Sequence, residues 1–117
     1  MASFKDLIVW QKAIQLSSRI YRLTASFPRS EQFGLTNQMR RASVSIASNI
    51  AEGNGRSTKG EYVLLLGYAR GSNCELQTQL TIASTLGFCG KQEHEAVYNL
   101  SAEISRMLNA LMKKLQG

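Results

Sequence analysis

The sequence predicts an all-α protein: a single domain over residues 1–117 folded as an antiparallel up-down-up-down four-helix bundle. Three observations predict it. Pro28 is the only proline in the chain. Apolar residues recur at helical spacing, while no alternating β-branched run lasts more than a few residues. Turn signals rich in glycine or proline cut the chain into four long periodic stretches. A length of 117 residues suits one sizeable core, and 44% hydrophobic residues are too many for a disordered chain.

The first stretch runs from Asp6, read as the N-cap, to about Ser26. Val9, Ala13, Leu16, Ile20, Leu23 and Phe27 step alternately by four and three, a coiled-coil-like seam. Trp10, Ile14 and Tyr21 form a second strip about 100–140° away, a wider apolar arc than one neighbour needs. Phe27-Pro28-Arg29-Ser30 breaks the chain, with room for a short extra turn over residues 31–34.

The second helix is expected from Leu35 or Thr36 to Glu52, with Gly53 as a C-terminal stop. Leu35, Met39, Ala42, Ile46 and Ile50 make its seam, and Val44, Ala47 and Ala51 form an apolar flank beside Arg40. Arg41, Ser45, Ser48 and Glu52 occupy the far face. The density of small residues lets other helices approach on more than one side, so this segment reads as the centre of an assembly.

Residues 53–56 form a turn, and Thr58 with Glu61 has capping-box spacing at the start of a third helix that reaches about Leu86. Its seam is Tyr62, Leu65, Leu66, Ala69, Leu76, Leu80 and Ala83, while Leu64, Tyr68, Ile82 and Leu86 project the other way. Gly67 and Gly71 each cost about 1 kcal/mol relative to alanine, which predicts a compensating close backbone approach. The fourth helix, residues 91–116, carries one stripe of Val97, Leu100, Ile104, Leu108, Leu111 and Leu115, flanked by Met107 and Met112. Unburied apolar surface on the first three helices predicts self-association.

Net charge is +6, and all of the excess lies in residues 1–60. A basic half suits an acidic partner such as nucleic acid or an anionic surface, and equally suits a merely soluble basic protein. Arg29, Arg40, Arg41, Arg56 and Lys59 are the candidate nucleic-acid-binding residues. Arg40 and Arg41 diverge by about 100° on their helix, so at most one lies against the seam. The plainer alternative pairs one with an acid and leaves the other solvated. Glu52 is expected to cap or to pair with an arginine such as Arg56.

No catalytic residues, metal ligands or cofactor are indicated. The single histidine, His94, has no Cys or carboxylate cluster at metal-ligand spacing, and Ser43, Ser45 and Ser48 have no histidine base in their segment. Gly53-Asn54-Gly55 lacks the lysine and strand of a phosphate loop. Cys74 and Cys89 read as reduced thiols of a cytoplasmic protein. A signal peptide is not expected, because Lys5 and Asp6 precede any apolar run, nor is a membrane span, because no apolar stretch approaches the roughly 18 residues it needs.

Several motifs carry a family resemblance. They are Leu7-x-x-Trp10-x-x-Ala13, Tyr21, Phe27-Pro28-x-x-Glu31, Phe33-Gly34-Leu35-Thr36 and Gln38-x-Arg40-Arg41-Ala42. Ser45-Ile46-x-x-Asn49-Ile50-Ala51-Glu52-Gly53 and Gly71-Ser72-x-x-Glu75-Leu76 complete the set. Over about residues 4–90 the chain resembles the 23S rRNA intervening-sequence protein family of small bacterial four-helix bundle proteins. The resemblance implies a ring-like homopentamer, and kinship with the accessory variability protein of diversity-generating retroelements, which binds nucleic acid and a reverse transcriptase. Family members often carry proline where this chain has Ala47, which implies a straighter second helix here.

The expected function is therefore non-enzymatic: an oligomer, a homopentamer by resemblance, binding structured RNA or an RNA–DNA hybrid through its basic surface without strong sequence specificity. The alternative is a protein-interaction scaffold for a partner enzyme such as a reverse transcriptase.

Overall fold

The computed structural model describes residues 3–117. Four helices, α1 (Ile8–Thr24), α2 (Leu35–Asn54), α3 (Lys59–Thr85) and α4 (Lys91–Gln116), run alternately up and down. Each packs on its neighbour in sequence, α1 closes against α4, and the α2–α3 contact is the most extensive. The result is a rod of 43 × 23 × 20 Å. Among the described residues no helix is long and apolar enough to cross a membrane.

The seams read from the sequence meet at the centre. Leu16, Ile20, Met39, Ile46, Ile50, Leu66, Leu76, Leu80, Ile104 and Leu108 are fully buried. Small residues let the helices close up around them. Ser17 and Ser43 hydroxyls bond at 3.1 Å across α1–α2, and Ser45 and Ser72 at 2.9 Å across α2–α3. Much of the small-residue density of α2 is thus used inside the subunit, and of the apolar flank Ala47 joins the core while Val44 stays exposed. A buried polar knot sits between α3 and α4. Asn73 donates to the Ser101 carbonyl at 2.8 Å and to the Ser105 hydroxyl at 2.7 Å, and accepts from the Ser101 hydroxyl.

The structure corrects the sequence reading at several ends. Asp6 does not cap α1; its carboxylate accepts the Ser3 N–H at 3.1 Å inside a short 3-10 turn, Phe4–Asp6. Extended Leu7 then interrupts the chain, and α1 begins at Ile8. The turn before α2 comes earlier than expected, at Arg29–Glu31, which places the Glu31 carboxylate 3.1 Å from the Leu35 N–H as a cap for α2. The third-helix capping pair is present, with Thr58 Oγ1 accepting the Glu61 N–H at 3.1 Å. α3 ends in a Schellman arrangement: Phe88 N–H donates to the Ala83 carbonyl at 2.9 Å and Gly87 N–H to that of Ser84 at 3.0 Å. Gly87 has φ +76°, the left-handed conformation this stop requires. Phe27 packs on Phe88, ring centroids 5.6 Å apart, and ties the two connections at this end together.

Gly53 is not a stop. α2 continues to Asn54, and Gly53 is buried in its last turn against α3. A Cβ there would lie 3.0 Å from the Tyr62 ring, 3.2 Å from Leu65 Cβ and 3.3 Å from the Tyr62 carbonyl oxygen. The close backbone approach expected at Gly67 and Gly71 is found here instead. A Cβ on Gly71 meets nothing within 4 Å, and one on Gly67 meets only the Met112 methyl at 3.9 Å. A large residue at position 71 therefore overpacks nothing within the subunit, whereas Gly53→Val should cost about 1–3 kcal/mol. Urea denaturation of the two variants side by side checks the contrast.

Candidate nucleic-acid interface

The five candidate cations do not form one cluster. Arg29 and Arg40 stand together where α1 meets α2, whereas Arg56 and Lys59 lie around the α2–α3 turn. The helical rise from Arg40 to Asn54 alone separates the two ends by about 21 Å.

Arg40 is committed to the fold. Its Nε donates to Thr24 Oγ1 at 2.9 Å, a terminal nitrogen reaches the Tyr21 carbonyl at 3.3 Å, and the guanidinium lies 4.7 Å above the Tyr21 ring centre. It pairs with no acid among the described residues. It straps α2 to the last turn of α1, where carbonyls lack helical partners and welcome a cation. Arg29, exposed, lines the same open groove with Thr36 and Gln32. The acid of that loop, Glu31, is already occupied by its capping bond.

Arg41 points away from α1. It is exposed, lines the groove between α2 and α3, and makes no hydrogen bond or ion pair among the described residues. Arg56 is engaged: Glu52 lies 2.9 Å away and Glu61 4.0 Å. These pairs are solvent-exposed and contribute little stability, yet they cancel the positive field at that turn. Lys59, in the first turn of α3, is exposed and has no acidic partner among the described residues.

Two cations were missed by the sequence reading. Arg19 and Arg22, three residues apart on the outer face of α1, line a groove against Gln92 and Glu93 of α4. Their spacing on one helix face was the available signal. With Arg29 and Arg40 they make the α1–α2 end of the bundle the basic one. Lys12, by contrast, is paired with Glu103 at 3.3 Å.

No described group of His, Cys, Asp and Glu could hold a metal ion. His94 stacks on Tyr98, centroids 5.7 Å apart, with Nε2 buried and unpartnered. The Cys89 thiol is pushed above its ordinary range by burial and, secondarily, by the nearby Glu93 carboxylate, while Cys74 is exposed.

This arrangement of helices and motifs is matched by one family. The family described as 23S rRNA-intervening sequence protein matches residues 5–110. The chain belongs to that family. A solved structure of a protein with unknown function from the S23 ribosomal protein family of Bacteroides thetaiotaomicron superposes with a TM-score of 0.82 at 22% identity. The match covers 91% of this chain and 99% of that one, and at that identity it speaks for the fold alone. No curated protein matches the chain. As a 23S rRNA-intervening sequence protein, the chain carries its Arg40-Arg41 pair with one arginine built into the helix packing and the other free.

Proposed function

We propose that the protein is a non-enzymatic oligomer that binds the backbone of structured RNA or of an RNA–DNA hybrid through the basic α1–α2 end. The observation that carries this reading is that Arg19, Arg22, Arg29 and Arg40 lie in two grooves toward one end of the bundle, where they outnumber the nearby carboxylates Glu31 and Glu93. Arg41, in the neighbouring groove between α2 and α3, extends the positive surface, while Lys59 adds a separate charge at the opposite end. Phosphate contacts by such residues supply affinity without reading sequence.

Assembly multiplies these contacts. Ile14, Tyr21 and Val44 are exposed on the α1–α2 face, and Leu64, Ile82 and Leu86 on α3. Two different apolar patches suit head-to-tail contact, which closes into a ring, and the family resemblance suggests five copies. Copies in a ring present their arginines to one ligand together, so weak individual contacts add up. The two free cysteines suit a reducing cytoplasm.

The test is a salt titration of binding to duplex RNA and to an RNA–DNA hybrid. Arg22→Ala with Arg29→Ala should reduce the slope of log affinity against log salt by about 0.9 per lost phosphate contact. Arg40 is left intact because its loss also loosens the helix packing. Absence of binding at low salt, or an unchanged slope, contradicts the proposal. A second reading, a scaffold for a protein partner such as a reverse transcriptase, is favoured by Phe33, which is 88% exposed at the α1–α2 connection. Pull-down after nuclease treatment separates the two, since only the scaffold keeps its partner.

A further inference from the structure

An open depression of about 260 Å³ lies where the end of α1, the connection after it and the start of α2 meet, with Thr24, Arg29, Gln32, Thr36 and Arg40 on its walls. Thr36 stands in the first turn of α2, at the positive end of that helix's dipole. It is only 7% exposed, yet its hydroxyl makes no hydrogen bond among the described residues. Unlike His94 Nε2, that hydroxyl is not sealed in, so the surface it keeps belongs to the depression it lines. Buried hydroxyls almost always find a partner, and one left open on the wall of a depression points to a ligand. Arg40 follows Thr36 by one helical turn and shares its face. Two of its five N–H donors go to Thr24 and to the Tyr21 carbonyl, which leaves three. Arg29, in the connection, is exposed and makes no hydrogen bond or ion pair among the described residues.

The negative groups nearby are already engaged. Glu31, the acid of the connection, is held 3.1 Å from the Leu35 N–H and does not line the depression. Free carbonyls at the end of α1 would repel an anion, but those of Tyr21, Arg22, Leu23 and Thr24 are each taken. Their donors are Arg40, the Ala25 N–H, the Ser26 hydroxyl and the Phe27 N–H, in that order.

We propose that this depression seats a terminal phosphate monoester. Such a group carries close to two negative charges and three oxygens that accept hydrogen bonds. Arg29 and Arg40 supply two guanidiniums, whose planar forks suit phosphate oxygens, and the Thr36 hydroxyl donates to an oxygen at the inner wall. A phosphodiester inside a nucleic-acid backbone has a single charge and two free oxygens, and a sugar flanks it on either side. It does not reach a hydroxyl as recessed as that of Thr36, whereas a phosphate at the end of a chain protrudes and does. The group can come from the phosphorylated end of an RNA or from free inorganic phosphate. In the first form the proposal names the end of the strand as what the basic α1–α2 surface holds, and it rests on the nucleic-acid reading above.

The test uses the full-length protein and separates the two sources. In one arm, fluorescence anisotropy at low salt compares a 5′-phosphorylated oligouridine RNA with a 5′-hydroxyl oligouridine about two nucleotides longer, which carries about the same charge. In the other, inorganic phosphate is titrated by calorimetry without RNA. The phosphorylated end is expected to bind about tenfold more tightly. Thr36→Val, which removes the hydroxyl and keeps the side-chain shape, should bring the ratio to within about twofold, and so should Arg29→Ala, an exposed position whose change leaves the core intact. Lys113→Ala removes an equal charge from the last turn of α4, at the other end of the bundle, and should leave the ratio unchanged. Phosphate binding that Thr36→Val abolishes, without any RNA binding, upholds the seat and contradicts the nucleic-acid reading. RNA binding indifferent to the 5′ end, with no binding of inorganic phosphate, overturns the seat and leaves that reading standing. A preference that survives both variants overturns the seat as well.

Discussion

Replacing Asn73 with alanine is expected to lower the stability of the folded chain by about 2–4 kcal/mol, the sum of a cavity and of broken buried hydrogen bonds. Asn73 is fully buried between α3 and α4, and every polar atom of its amide is used on Ser101 and Ser105. Its removal deprives the Ser101 carbonyl and hydroxyl of their partner while Gln77 still donates to that hydroxyl at 3.0 Å. The knot also sets the register of the two helices, because an amide between apolar layers fits in one alignment only. Urea denaturation measures the effect as a shift of the midpoint at constant slope. A loss below about 1 kcal/mol would mean that water or a side-chain rearrangement satisfies the serines, and the register argument would fail.

Charging the exposed apolar surface is expected to take the proposed oligomer apart without unfolding its subunits. Ile14 and Tyr21 are both 44% exposed and Val44 42%, all on the α1–α2 face beside the Arg40 strap. Ile14→Asp with Val44→Asp places two carboxylates where a neighbouring copy must be apolar, and desolvating either is costly. At positions this exposed, the isolated subunit should change by no more than about 0.5 kcal/mol per site. Size-exclusion chromatography with circular dichroism separates the outcomes: smaller particles with unchanged helicity are expected. Retained assembly would contradict a head-to-tail contact between this face and the Leu64, Ile82 and Leu86 patch of α3.

The faces of the helices were legible because periodicity records them directly. Val9 to Phe27, and Val97, Ile104 and Leu108, occupy the core in the order in which they repeat, while Leu100 is half-buried at its edge. What stands opposite a residue is not written in that period. Gly53 and Gly71 are alike as letters, yet one is pressed against Tyr62 and the other faces open space. Asn73 sits buried at a seam position between Ala69 and Leu76, where apolar periodicity carries no signal for a polar residue.

The candidate site was legible in kind and not in place. An excess of arginine in the first sixty residues is a compositional fact, but an up-down chain sends Arg29 and Arg56 to opposite ends. Arg40 and Arg41 were correctly expected to diverge. Which of the two was structural depended on Thr24 and Tyr21, far away in sequence and adjacent in space. The Arg56–Glu52 pair was foreseeable from i,i+4 spacing alone. Arg19 and Arg22 were foreseeable in the same way, had outward faces been searched as closely as inward ones.

In the proposed oligomer, copies join to cover their apolar faces and to pool their positive charge. Sedimentation equilibrium of the full chain at low micromolar concentration tests this most directly. The predicted result is a single species of five times the 13.0 kDa chain mass. A species of one chain mass, stable across the concentration range and still fully helical, would contradict it.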